Sequence, residues 1–196
     1  IRTLTTGTTA NINGVANATL TSNAESIDGL ADSDSHLYDP AGIVLETTTI
    51  GMSAQLSGEA SITSQSNSSS TNGASDANTY SSYVTGIFSY GTTVVGDSAS
   101  IAGTATVNET ANARTVGDTP TLDTAKAQVG HQNALIGGIS LYNGNTTVGK
   151  DLTLKGTATL TQNSVAQGIN SNTSSNIDND YLSGIFTDDR TVSAGR

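Results

Sequence analysis

The chain holds two histidines, His36 and His131, and an imidazole is the side chain best suited to acid, base or metal chemistry near neutral pH. They stand at unmatched positions in different parts of the sequence, and the pattern sets no carboxylate or nucleophile beside either. Both are read as solvated. There is no cysteine, no G-x-S-x-G, no H-E-x-x-H and no glycine loop followed by lysine. The expectation is a protein without catalytic or cofactor-binding residues, and so not an enzyme.

Aspartates cluster in "ADSDSHLYD" (Asp32, Asp34, Asp39), in "IDNDY" (Asp178, Asp180) and in "FTDDR" (Asp188, Asp189). Oxygen-rich loops hold calcium, but these lack the D-x-D-x-D-G spacing that ends in Glu and the glycine-rich nonapeptide of calcium-binding β-helices. Solvated turns are expected, and calcium, if bound at all, would be sought at these acids. Five Asn-x-Ser/Thr sequons, at Asn17, Asn67, Asn108, Asn145 and Asn172, permit glycan attachment without requiring it in a chain so rich in these residues. The alternating Thr104-Ala-Thr106 and Thr157-Ala-Thr159 suggest Thr columns on a flat face, as ice-binding proteins use. A hydrated strand face explains them as well, since Thr is a good polar strand former.

Composition limits what can position such residues. Leu, Ile, Val and Phe make up only 39 of 196 residues, so no thick globular core is expected, and disorder is a competing reading. Seven basic against 17 acidic residues leave no source for the phosphate neutralisation that nucleic-acid binding needs. No run of about 18 apolar residues is present, which argues against membrane insertion. The chain opens on Ile1 and not on Met, which suggests processing or excision from a longer precursor. Low charge density, an acidic balance and Thr/Asn richness favour an extracellular or cell-surface setting.

Four stretches align: "TTGTTANINGVANATLTSN" from Thr5, "TIGMSAQLSGEASITSQ" from Thr49, "VVGDSASIAGTATVNET" from Val94 and "TVGKDLTLKGTATLTQN" from Thr147. The pairs Gly7/Gly14, Gly51/Gly58, Gly96/Gly103 and Gly149/Gly156 keep one spacing. A shorter phrase recurs between them at Gly42, Gly86, Gly138 and Gly184, in steps of 44, 52 and 46 residues. Just upstream of it stands Tyr38, Tyr83, Leu135 or Tyr181. These phrases divide the chain into repeats at about 1–41, 42–85, 86–137 and 138–183, with a partial repeat at 184–196, all within one elongated domain.

Inside the long phrase every second residue is apolar, as in Ala99, Ile101, Gly103, Ala105 and Val107. Strand side chains alternate faces, so this set shares one buried side and the Ser/Thr/Asn set takes the other. A single repeat cannot bury so small a face, whereas stacked copies bury a continuous one. The fold expected is all-β, a β-solenoid resembling a parallel β-helix, of about four imperfect repeats of 44–52 residues with polar loops. The mid-phrase glycine has two readings, a bend or the close approach of another backbone. The bend is preferred, because a straight strand from Val95 to Val107 would run about 40 Å, longer than ordinary strands. "SQSNSSSTNGASDANTYSS" is read as loop or ill-defined edge strand, and residues 121–135 stay open between helix and strand.

The phrases "TVGKDLTLKGTATLTQN" and "TVVGDSASIAGTATVNET" resemble the repeat shafts of bacterial surface and matrix proteins and of phage fibres. The resemblance implies a structural role: filaments, sheaths, stalks or host-contact fibres. The chain opens inside a long phrase and closes with the start of another, "RTVSAGR". The expectation is a subunit of an extracellular filament, sheath or matrix that assembles head to tail with itself, "GIFTDDRTV" adding strands to the first repeat of the next copy. Equally open is a slice of a longer array. The alternative function is an adhesin stalk or phage fibre segment that binds a host surface or glycan.

Overall fold

A computed structural model of the chain describes residues 3–117, 123–130, 134–178, 181–188 and 191–195. Among them there is no helix, and the protein is all-β, built of parallel sheets of stacked strands.

Every long phrase is a strand of 18 residues: β2 (Ala10–Ile27), β6 (Ala54–Thr71), β10 (Ala99–Val116) and β14 (Leu152–Ile169). A short strand precedes each: β1 (Thr3–Thr6), β5 (Thr47–Ile50), β9 (Thr93–Val95) and β13 (Thr146–Val148). Two strands follow each. These are β3 (Ala31–Tyr38), β7 (Ser75–Ser82), β11 (Thr124–Val129) and β15 (Asn172–Ile177), then β4 (Ala41–Leu45), β8 (Val84–Ser89), β12 (Leu135–Tyr142) and β16 (Tyr181–Asp188). A last strand, β17 (Val192–Ala194), resumes the first position.

Like strands pair with like. Sheet A runs β1-β5-β9-β13-β17, sheet B β14-β10-β6-β2, sheet C β15-β11-β7-β3 and sheet D β16-β12-β8-β4. Each layer of the stack therefore visits A, B, C and D in turn, and the next lies beside it in parallel. The phrase boundaries at 42, 86 and 138 fall inside β4, β8 and β12. The register is the one the phrases imply, for Gly14, Gly58, Gly103 and Gly156 are partners across sheet B. Of the residues upstream of the short phrase, Leu135 pairs with Tyr181, but Tyr38 pairs with Ser82.

The interior is thin and changes character along each layer. Near sheet A, Ile50, Val95 and Val148 meet Leu56 and Ile101 of sheet B and Ile43, Ile87 and Ile139 of sheet D. Farther along sheet B, Ala60, Ile62, Ala105 and Val107 pack on Val84 and Ile136. Against sheet C the core shrinks to Ala111 and Ala113 on Ala77, Ala125, Ala127 and Val129. Each buried Ile or Leu contributes about 1.5–3 kcal/mol, each alanine much less, so the sheet D half carries most of the apolar stabilisation.

Two expectations need correction. The mid-phrase glycine does not bend the strand, which runs on through it for 18 residues. A Cβ on Gly103 would stand 2.7 Å from the carbonyl carbon of Gly138 and 2.9 Å from Ile139 Cγ1. Gly14 meets Gly42, Gly58 meets Gly86 and Gly156 meets Gly184 in the same way. The long phrase and the short phrase carry glycines because their backbones touch across the interior. The corner lies at the earlier glycine of each pair, between the A and B strands, where the chain passes from Val95 through Gly96 to Ala99.

The Ser-rich stretch is not loop. It forms the second half of β6 and all of β7, and Ser64, Ser66, Ser68, Ser70, Ser75 and Ser81 are buried. Their hydroxyls reach across the narrow gap. Ser68 donates to the Ala31 carbonyl at 2.6 Å, Ser70 to the Gly29 carbonyl at 2.8 Å, and Ser75 bonds with Thr115 at 2.9 Å. Serine is small enough for the gap and, except for Ser81, whose hydroxyl has no hydrogen-bond partner, finds one there, so the burial of the polar group is compensated. The open assignment at 121–135 resolves to strand over Thr124–Val129.

The corner between sheets B and C is turned by Asp28, Asn72 and Asn170, all at positive φ (58°, 53° and 50°). Asn and Asp tolerate this left-handed region better than other side chains with a Cβ. Asn72 Nδ2 also donates to Asp28 Oδ1 at 3.1 Å.

Candidate functional site

The residues singled out for chemistry do not converge. His36 lies on the outer face of β3 with its ring centroid 3.8 Å from that of Tyr80. His131, Asp180 and Asp189 fall outside the described residues. Asp32 and Asp34 point outward on the same strand, Asp39 sits at the turn after it at φ 53°, and Asp178 and Asp188 belong to the last layer. Among the described residues no group of three His, Asp or Glu side chains is placed to hold a metal ion, nor is any helix long and apolar enough to cross a membrane.

The outer face of sheet C is a ladder of charges and amides. Asp32, Asp76 and Lys126 are successive register partners, with Lys126 Nζ 3.7 Å from Asp76. Asn78 donates to Asp34 at 3.0 Å and Gln128 to Asp178 at 2.7 Å. Partial desolvation, then the charges of Asp34 and Asp76, push the Asp32 carboxyl above its ordinary range, with Lys126 opposing. The folded state thus holds that proton more tightly than the unfolded chain, and stability falls as pH rises through the window from 3.8 upward. Asp32→Asn is expected to raise the thermal midpoint slightly at pH 7 and to leave it unchanged well below pH 3.8. Melting curves at the two pH values check this.

On sheet B the outward residues are mostly hydroxyls and amides, with charges at Glu25, Glu59, Arg114 and Lys155 and apolar side chains at Val15, Ile27 and Ile169. Asn112 Nδ2 donates to Asn67 Oδ1 at 2.9 Å, and Asn67 Nδ2 to Asn23 Oδ1 at 2.8 Å, one amide column across three layers. The sequon residues Asn17, Asn67 and Asn108 lie on this face, and Asn172 opens β15. At the sheet A corner, Lys150 bonds Asp97 at 2.6 Å; this contact holds the Asp97 carboxyl low and the Lys150 amine high.

Two features were not read from the sequence. All six Tyr and both Phe lie on strands of sheets C and D or in the connections flanking β8, and none on strands of A or B. Phe88, Tyr142 and Phe186 form a ladder along the stack, with Phe88 to Tyr142 at 5.9 Å and Tyr142 to Phe186 at 5.7 Å, while Tyr80 bonds Tyr38 through the hydroxyls. That bond, with some burial, pushes the Tyr80 hydroxyl up to about 12. A hollow of about 370 Å³ opens beside the ladder between Asp39, Val44, Tyr83, Phe88 and Tyr142. The second feature is Glu109, 1% exposed in the inward row of β10, whose Oε2 accepts from Gln162 Nε2 at 3.1 Å. The period-2 pattern breaks here with a carboxylate at an inward position, which was the available signal.

The ends of the stack are the remaining candidate. β2 and β14 are the edge strands of sheet B, each offering 18 residues of backbone on one side. The inward rows there, Ile12 on β2 and Leu152, Leu154, Ala158 and Leu160 on β14, are half-buried, while their partners on β6 and β10 are buried. Ile139 in the third layer is 0% exposed, and its register partner Ile185 in the fourth is 41%. Comparison with protein-family models, with curated proteins and with solved structures found no match to this chain.

Proposed function

We propose that the chain is a non-enzymatic structural unit, a β-solenoid whose layers continue head to tail into a second copy to build an extracellular filament, sheath or matrix. The observation that carries this reading is that the inward row of sheet B is half-buried on both edge strands, and Ile185 of the last layer is 41% exposed, whereas the same rows are sealed between layers; in the first layer Ile43 and Leu45 are buried. Long parallel edges with unpaired backbone invite strand addition, and a contact joining unlike ends propagates as an open thread. The acidic, charge-poor composition and the shaft-like phrases support a surface or matrix setting. The expected result is uniform threads by negative-stain microscopy, with sedimentation showing growth with concentration. A chain that stays monomeric at millimolar concentration overturns the reading.

A second reading, an adhesin stalk or fibre segment that contacts a host surface or glycan, is favoured by the aromatic and acidic outer wall of sheets C and D with its hollow near Tyr83 and Phe88. Phe88, Tyr142 and Phe186 pack on one another, whereas Tyr38, Tyr83, Tyr90 and Tyr181 are exposed. The first reading is preferred because the half-buried apolar row of β14 and the exposed Ile185 are what a further layer would cover.

A further inference from the structure

We propose that the hollow on the outer wall of sheet D is a binding site for a primary alkylammonium group, that of a free amine or of a lysine side chain. It spans three layers, between β4, β8 and β12, and binding there needs no second copy of the chain. Thr85 lines it, is 0% exposed, and its Oγ1 has no hydrogen-bond partner. Other buried hydroxyls lack partners too, Ser33 and Thr48 among them, but Thr85 borders a space of about 370 Å³. A buried hydroxyl left unpaired is costly, and this one stands where a ligand can supply the missing bond.

The backbone gives a second sign. Tyr83 has φ 50°, and Asp39, its counterpart in the adjacent layer, has φ 53°. Aspartate tolerates the left-handed region, whereas a bulky tyrosine rarely enters it. Strain of this kind collects at functional sites. Here it sets the Tyr83 ring, 40% exposed, and the exposed Asp39 side chain beside the same hollow.

The lining decides the class of ligand. Among the described residues Asp39 is its one charged side chain, and no Lys, Arg or His stands in it. Phe88, Tyr83 and Tyr142 supply ring surface and Val44 aliphatic surface. A cation is drawn both to ring faces and to a carboxylate, and the chain's net charge of −10 favours its approach. A primary ammonium also has N–H groups to donate to Thr85 Oγ1, which a quaternary one lacks. Its alkyl stem suits Val44 and Phe88. A sugar ring suits the site less well, because it brings several hydroxyls, and apart from the phenols only Asp39 and Thr85 offer side-chain partners. The remaining hydroxyls would lose water without gaining a bond.

The test follows the methyl NMR signals of Val44 and Thr85 as n-pentylammonium chloride is added at pH 7 and fixed ionic strength. Nα-acetyl-lysine methylamide serves as the lysine form, and 1-pentanol and methyl glucoside as neutral probes. Saturable shifts with either amine are expected, with both neutral probes about tenfold weaker or worse. Pentylammonium binding alone assigns a free amine; binding of the lysine amide, as well or instead, assigns a peptide source. Asp39→Asn is expected to weaken amine binding about tenfold, whereas Asp97→Asn, at the sheet A corner, leaves it unchanged. Thr85→Val is expected to weaken binding several-fold and also to raise the thermal midpoint, since the unpaired hydroxyl is gone. A threonine with a structural role alone would not do both, and this variant keeps the test decisive should Asp39→Asn disturb the corner. Absence of shifts with both amines, equal affinity for a neutral probe, or equal losses in Asp39→Asn and Asp97→Asn overturns the proposal. Each of these results leaves the head-to-tail reading standing.

Discussion

Gly103→Ala is expected to destabilise the protein by about 3 kcal/mol or more, beyond the usual cost of an added core methylene, because the obstacle is backbone. The new Cβ would stand 2.7 Å from the Gly138 carbonyl carbon and 2.9 Å from Ile139 Cγ1. A flexible side chain could swing aside. Gly138 lies within β12, which is flanked by β8 and β16 in sheet D, so relief would require moving that strand's backbone. Gly7→Ala is the matched control. Nothing lies within 4 Å of a Cβ there, and its effect is expected to stay within about 0.5 kcal/mol. Chemical denaturation of the two variants beside the parent chain checks the contrast. A Gly103→Ala midpoint equal to that of Gly7→Ala would show that the two backbones do not touch across the interior.

Ile139→Ala is the second large effect. Ile139 is fully buried, with Ile87 on one side and Ile185 on the other in its column, and truncation there costs the transfer term plus a cavity, about 3–4 kcal/mol. Ile185→Ala removes the same atoms from the end layer, where the side chain is 41% exposed, and is expected to cost the isolated chain less than half as much. Under the proposed head-to-tail assembly another copy covers that end, and Ile185→Ala is expected to weaken thread growth at concentrations where the fold is intact. Denaturation of dilute protein and sedimentation of concentrated protein separate the two effects. Equal denaturation costs for both variants would mean that the fourth layer is as sealed as the third.

Much of this architecture could be read along the chain. Alternation of apolar and hydroxyl residues named the long strands, and the recurrence of glycines gave their partners, because stacking in parallel places each residue beside its counterpart one repeat later. Gly14, Gly58, Gly103 and Gly156 thus share a column. Sequence comparison within one chain sees this axis directly.

What crosses a single layer was not legible. Whether Gly103 bends the chain or admits another backbone depends on what stands opposite it, and Gly138 is 35 residues away. Whether Ser66 and Ser68 are solvated or buried depends on sheet C lying across from them, at a separation that suits Ser and Ala and satisfies the hydroxyls through the carbonyls of Asn78 and Ala31. The collection of all the rings on one wall likewise follows from where sheets C and D face. Periodicity along a strand records which face a side chain takes and which neighbour repeats it; the distance to the opposite wall, set by packing of the whole layer, decides what that face encloses.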